Sequence, residues 1–259
     1  MKIHPTAIID STAKVHPSAE VGPYTIIEAG VEVGENCIIG SCVRIYANSK
    51  IGKNNKIFHN VVIGAEPQDL GYDPSAKTGI IIGNHNVFRE GVHISRGTKS
   101  DTPTTIGDDN YFMGNFHAGH DCVIGNKNIF TQGAEIAGHV HVGNRVFVSG
   151  LVAVHQFCHI GDYAMVAGLS KVTKDVPPYC TVDGNPAFVI GLNSVGLRRA
   201  GLSSEIRNSI REAYKIIYHS DLFTSNALEE LRKIEDLTEE VKYIISFFEK
   251  SERGVTDHR

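Results

Sequence analysis

Ile106-Gly107, Ile124-Gly125, Val142-Gly143 and Ile160-Gly161 stand 18 residues apart, each an aliphatic residue followed by glycine. Between them Phe112, Ala118, Phe130, Ile136, Val148, Val154 and Val166 mark intermediate steps, so the full beat is six residues long. A six-residue unit is too short for a helix pair or a propeller blade. It suits one short strand plus a turn, with three units closing a triangular coil and each coil bonding to the next about 4.8 Å along the axis. The pattern predicts an all-β solenoid in which residues 18 apart lie in one column. A β-sandwich with regular turns would not hold that phase over so many repeats.

The beat runs from Val15 through Val21-Gly22, Ile27, Val33-Gly34, Ile39-Gly40, Ile45, Ile51-Gly52, Ile57 and Ile63-Gly64. Each inward aliphatic contributes about 1.5–3 kcal/mol of burial. Glycine at the second position is expected to supply permissive backbone angles at a tight corner. Asn36, Asn54, Asn84, Asp108, Asn126 and Asn144 are expected at corners because they tolerate left-handed backbone. Two segments break the phase, near 65–79 and 97–105, and solenoid insertions emerge as loops on one face, often the binding face. The beat ends near Val172, and Asp175-Val176-Pro177-Pro178-Tyr179 cannot be helical.

After Asn193 the period changes. Ser203-Ser204-Glu205 reads as a helix start, with Ile206, Ile210, Ala213, Ile216 and Ile217 on one face. Leu228, Leu231 and Ile234, then Val241, Ile244, Ile245 and Phe248, predict two further helices. The expected organisation is a β-helix over 1–192 and a C-terminal α-helical domain over 193–259 that caps its open end.

Composition narrows the function. A net charge of −4 across 259 residues argues against general affinity for nucleic acid or anionic membrane. No apolar stretch is long enough to span a bilayer, and Met1-Lys2-Ile3-His4-Pro5 lacks the apolar core of a signal peptide. Five cysteines, with no CxxC pair, indicate neither a disulfide framework nor a zinc ribbon. The expectation is a reduced, cytoplasmic protein with no stable membrane insertion. Cys122 and Cys158 fall near inward positions, and His4 and His16 read as turn residues.

Histidines carry the chemistry. Of 13, six cluster: His117, His120, His139, His141, His155 and His159. At a spacing of 18, His120, Gly138 and Gln156 form one column, and Asp121, His139 and Phe157 the adjacent one. Two chemistries fit converging imidazoles. A zinc site needs three neutral imidazoles and an open position, as in trimeric β-helix carbonic anhydrases, but the sequence singles out no third ligand. Alternatively one imidazole acts as general base near neutral pH. Asp121 would orient His120, and Gly138 would present an unobstructed N–H to an oxyanion. His139 and His155 are also compatible with plain hydrogen-bonded residues of an interface.

The stretches His117-Ala118-Gly119-His120-Asp121-Cys122, Ala137-Gly138-His139-Val140 and Val154-His155-Gln156-Phe157 resemble the acyl-carrier-protein–UDP-N-acetylglucosamine O-acyltransferases of lipid A biosynthesis. Pro67-Gln68-Asp69-Leu70, Asp175-Val176-Pro177-Pro178-Tyr179, Gly184-Asn185-Pro186 and Gly196-Leu197-Arg198-Arg199 extend the resemblance over nearly the whole chain. It implies a homotrimer of left-handed parallel β-helices with sites between subunits, and transfer of an (R)-3-hydroxyacyl chain from acyl carrier protein to the sugar 3-position. No cofactor or metal is called for. By the same resemblance, His120 is the general base, Asp121 its support and the Gly138 N–H the oxyanion donor. Asp69 would hold the sugar, and His117, His139 and His155 would line the cleft. Gln156, Asn193 and Arg199, with Arg198 beside it, would meet the nucleotide and its phosphates. One departure stands out: the family commonly has lysine after Gln-Asp-Leu, and here the residue is Gly71. Either another residue compensates for the lost ammonium and the acceptor is the ordinary 3-hydroxy sugar, or the acceptor is a 3-amino sugar, which a nearby cation would repel.

Overall fold

The computed structural model describes residues 2–259. Three sheets of 11, 9 and 8 strands form the walls of a left-handed parallel β-helix. Strand Lys2–Ile3 already pairs in parallel with Glu20–Val21, so the coils begin two units before Val15. Most strands are two residues long, the first facing solvent and the second the core, as with exposed Glu135 and buried Ile136. Phe88, Phe112 and Phe130 stack in one interior column with ring centroids 4.9 and 5.2 Å apart. Register between successive coils is 18 through most of the helix, as Thr105 opposite Val123 illustrates. It widens to 31 across the first insertion (Ile51 opposite Ile82) and to 24 across the second (Ile82 opposite Ile106). The second insertion is closed by Pro103, because Thr104 and Thr105 belong to strand Thr104–Ile106.

Two expectations about the corners need correction. Except at Gly64 (φ 75°), the glycine after each aliphatic does not adopt left-handed backbone. A Cβ on Gly107 would lie 2.7 Å from the Gly125 carbonyl oxygen, and one on Gly125 2.6 Å from that of Gly143. These glycines permit close approach of the next coil. The left-handed residue comes two positions later and is often bulky: Tyr24, Cys42, Leu151, Phe157 and Leu169 all have positive φ. Asn36 and Asn54 do so as expected, but Asn84, Asp108, Asn126 and Asn144 do not. They form a ladder instead: the Asn84, Asp108, Asn126 and Asn144 N–H groups donate to the side-chain oxygens of Asp108, Asn126, Asn144 and Asp162 in turn, at 2.6–2.9 Å. A second, buried ladder of Asn55, Asn86, Asn110 and Asn128 runs inside the same edge. Both ladders satisfy corner amides that a tight turn would leave unpaired.

The parallel series ends in an antiparallel hairpin, Cys180–Asp183 against Phe188–Leu192. Between it and Val172, buried Asp175 pins the irregular proline segment by accepting from the His159 N–H and the Ser251 hydroxyl. Four helices follow: α1 (Ser194–Arg199), α2 (Ser204–His219), α3 (Thr224–Arg232) and α4 (Glu239–Lys250). The expected helix start holds, with the Ser203 side chain capping α2. α1 was not foreseen, and Ile234 lies beyond α3 and half exposed rather than on its apolar face. α2 and α4 reach the last coils through the Tyr214 hydroxyl on the Pro178 carbonyl and the Tyr243 hydroxyl on the Asp162 N–H. No helix among the described residues is long and apolar enough to cross a membrane.

Candidate active site

His120, Gly138 and Gln156 occupy the same corner on successive coils: the His139 N–H donates to the His120 carbonyl and the Phe157 N–H to that of Gly138. Asp121 takes the left-handed position (φ 58°), which brings its carboxylate back toward the ring of its neighbour. His120 Nδ1 lies 2.7 Å from Asp121 Oδ2. A carboxylate only accepts, so Nδ1 carries the hydrogen and Nε2 is left with a free lone pair. His139 stands edge-on to His120 at 5.1 Å and places its Nε2 3.6 Å from Asp121 Oδ2. Phe157 stacks on His139 at 4.6 Å and holds that ring in place.

Asp121 is 8% exposed. Burial pushes its carboxyl up, but the Thr98 N–H, His120, the Thr98 hydroxyl and nearby His139 together outweigh that and hold it below the usual value. The Thr98 N–H reaches Oδ1 at 2.9 Å and the Thr98 hydroxyl reaches Oδ2 at 2.8 Å. Thr98 sits on the second inserted loop, so that loop anchors the carboxylate.

Gly138 lies directly over the imidazole. A Cβ there would fall 2.6 Å from His120 Cε1 and 2.7 Å from Nε2. Among the described residues the Gly138 N–H has no acceptor. The first corner residues Gln132 and Gly150 also have unbonded N–H groups, and what sets Gly138 apart is its place against the His120 ring.

The ligand atoms of His120, Asp121 and His139 lie within 4.8 Å of one another. Both Asp121 oxygens, however, are already engaged by Thr98, and His120 turns its Nδ1 into Asp121 rather than toward a shared centre. The donor set is that of a hydrogen-bonded relay rather than a zinc cage.

The remaining expected residues divide. His117 meets His93, a residue the sequence reading missed, with Nδ1 atoms 3.1 Å apart and rings stacked. The signal for His93 was a register of 24 across the second insertion instead of 18. His155 and Gln156 are exposed, and His155 Nδ1 faces the Gln156 carbonyl. Asp69 is exposed on the first loop, where its carboxylate accepts from the Gly71 N–H at 2.9 Å. That loop is tied down by Arg96, whose guanidinium bonds Glu66 and the Tyr72 hydroxyl. Asn193 caps α1 by accepting from the Gly196 N–H, while Arg198 and Arg199 are exposed in its last turn. Asn193 and Arg199 line a groove of about 620 Å³ with Lys127, Arg145, Tyr163 and Met165. The groove contains none of the clustered histidines, so a single chain does not bring these residues to His120.

Burial lowers the pKa of His93, of His117 (with His93 adding to the effect) and of His141 (with His159 and His139 adding) below the usual 6.5. Folded imidazoles that resist protonation cost stability once the unfolded chain binds protons. Stability should therefore be unaffected by these groups above about pH 6.5, and fall as pH drops below it toward their folded values. Denaturant titrations between pH 7.5 and 5.5 check this, and His93→Gln should flatten the decline. An unchanged slope in that variant would remove the pair as its cause.

The family model described as UDP N-acetylglucosamine O-acyltransferase, domain 2, matches residues 175–256, and that of the bacterial transferase hexapeptide (six repeats) matches 12–47. An acyl-[acyl-carrier-protein]–UDP-N-acetylglucosamine O-acyltransferase from Anaeromyxobacter is 43% identical over 196 residues, covering 75% of this chain and 76% of its own length. This chain belongs to that O-acyltransferase family. Its Pseudomonas entomophila relative is likewise 43% identical, over 75% of each chain. The crystal structure of the UDP-N-acetylglucosamine O-acyltransferase of Moraxella catarrhalis superposes with a TM-score of 0.96 at 42% identity, covering 99% of this chain and 100% of that one. The Francisella novicida UDP-N-acetylglucosamine acyltransferase gives 0.96 at 35% identity, over 98% and 94%. As a member of this O-acyltransferase family, the chain is an acyltransferase enzyme.

Proposed function

We propose that this acyltransferase moves an (R)-3-hydroxyacyl chain from acyl carrier protein to the 3-position of UDP-N-acetylglucosamine or its 3-amino analogue, the first step of lipid A biosynthesis. The observation that carries the reading is the state of His120: Nδ1 is committed to Asp121, and the free Nε2 lies against Gly138. In this mechanism Nε2 takes the acceptor's proton as its oxygen or nitrogen attacks the thioester carbonyl. Asp121 steadies the imidazolium that forms, and the Gly138 N–H binds the oxyanion. The tetrahedral intermediate then expels the carrier thiolate, which receives the proton from His120. No acyl-enzyme is required. The nearest thiol, Cys122, is buried and pushed up to about 12, which leaves it without thiolate character at neutral pH.

On the same reading Asp69 and Gly71 meet the sugar, while His117, His139 and His155 line the cleft. Gln156, Asn193, Arg198 and Arg199 engage the uridine diphosphate. Because Asn193 and Arg199 belong to a groove apart from His120, a homotrimer supplies the two halves from adjacent subunits. Soluble carrier protein and nucleotide sugar place the reaction in the cytoplasm, with no cofactor.

Gly71 bears on acceptor choice. Its φ lies outside the left-handed region and a Cβ there would meet only Asp69 Oδ1 at 3.5 Å, so neither backbone nor space demands glycine. Given equal amounts of the 3-hydroxy and 3-amino UDP-sugars, the enzyme should make mainly the amide, and Gly71→Lys should shift the product ratio toward the ester by about tenfold, the value of one charge interaction of about 1.4 kcal/mol. Mass spectrometry of the products reads the ratio. Ester as the main product of the unaltered enzyme would sink the amino-sugar assignment and leave acyl transfer itself standing.

A further inference from the structure

The second inserted loop does more than decorate the solenoid. Its Thr98 gives Asp121 two bonds, N–H to Oδ1 at 2.9 Å and hydroxyl to Oδ2 at 2.8 Å, and Oδ2 is the oxygen that also receives His120 Nδ1. Thr102, at the other end of the same loop, places its hydroxyl 3.4 Å from Oδ1, and the Asp121 N–H donates to the Thr104 hydroxyl at 3.0 Å. The loop is held tight at Gly97, where a Cβ would fall 2.1 Å from the Thr102 carbonyl oxygen. Just before it, Arg96 reaches the first inserted loop through Glu66 and Tyr72.

We infer that Thr98 is a positioning residue that sets the basicity of His120 by sharing the Asp121 oxygen on which His120 depends. The inference rests on the assignment of His120 as general base. An oxygen that accepts from two donors offers less charge to each. The Thr98 hydroxyl thus weakens the pull of Asp121 on the imidazole proton. The titratable groups facing Asp121 are His120 on its own corner, His139 on the next coil and the Cys122 thiol beside it. The thiol remains protonated throughout. His139 approaches Oδ2 no closer than 3.6 Å, so the Thr98 hydroxyl is the closer competitor for that oxygen.

Thr98→Val keeps the backbone N–H and the side-chain shape while removing the hydroxyl. The acidic limb of the kcat/KM profile for acyl transfer should move up by about half a pH unit, and the His120 imidazole, followed by NMR in the unliganded enzyme, should titrate higher by the same amount. KM for the UDP-sugar should be unchanged, and Thr98→Ser should restore both limb and titration. Thr98→Ala, which needs no extra room, must show the same displacement and stands in if the valine variant does not fold. A lower kcat with an unmoved limb would make Thr98 a purely structural residue and overturn the inference. So would a serine variant that fails to restore the wild-type titration. The unaltered enzyme serves as the separate control: if it transfers no acyl group, the general-base assignment fails first, whereas the NMR titration still tests the link between Thr98 and His120.

Discussion

His120→Ala should reduce kcat/KM for acyl transfer by roughly 10²–10⁴-fold, the range general-base catalysis supplies. The substitution removes the imidazole whose Nδ1 is bonded to Asp121. It empties a corner position outside the row of core residues and leaves Asp121 held by Thr98, so the melting temperature should change little. Residual activity should not be restored by His139, which touches Asp121 only through Nε2 at 3.6 Å and is stacked on Phe157. The double variant His120→Ala/His139→Ala should therefore keep the kcat of the single one, with any added loss confined to the KM for the UDP-sugar, whose cleft His139 lines. Steady-state kinetics with thermal denaturation as control checks both statements. A variant within threefold of wild type would remove His120 from the chemistry.

Gly138→Ala should be nearly as damaging, lowering kcat by about 10²–10³-fold as loss of an oxyanion donor does. One methyl group suffices because it would lie 2.6 Å from His120 Cε1, 2.7 Å from Nε2 and 3.1 Å from Nδ1. Contacts below 3 Å force the ring aside, which stretches its 2.7 Å bond to Asp121 and screens the Gly138 N–H at once. Gly138 has no positive φ, so alanine brings no backbone strain and the loss should fall on kcat rather than on folding. Gly119→Ala is the contrasting variant, because its Cβ would strike the Gly138 backbone nitrogen at 2.6 Å and should cost stability as well. If Gly138→Ala kept wild-type kcat, neither the oxyanion role nor the close approach to His120 would survive.

The solenoid was legible because its signal is periodic and redundant. Losing one aliphatic still leaves the phase visible at the next, and the column of His120, Gly138 and Gln156 followed from counting alone. What the amino acids misreported was the reason for each glycine. Gly107 and Gly125 matter for how near the next coil lies, a property of packing between residues 18 apart that no local propensity encodes. Conversely, Tyr24, Leu151, Phe157 and Leu169 bear left-handed backbone that propensity alone assigns to glycine or asparagine. Closure of each coil imposes it.

The candidate site was legible where it stays in phase and not where insertions shift it. Asp121 was expected to orient His120, and the left-handed corner at Asp121 is what lets two adjacent residues do so. His93 was missed because the second insertion moves its partner to 24 residues away. Thr98 was missed because loop residues have no column to be counted in. Asp69, Gly71, Asn193, Arg198 and Arg199 were named through resemblance, and the groove that holds Asn193 and Arg199 contains none of the clustered histidines. Where a site spans subunits, neither periodicity nor the single-chain packing brings its halves together.

The central claim is that this chain acylates a UDP-linked amino sugar at its 3-position from a carrier-bound 3-hydroxyacyl thioester. The most direct test incubates the purified enzyme with (R)-3-hydroxyacyl carrier proteins of several chain lengths and both UDP-sugars, followed by mass spectrometry. The predicted result is a UDP-sugar heavier by one 3-hydroxyacyl group, attached at the 3-position and formed only with the thioester present. No acylated sugar with either acceptor at any chain length would contradict the account.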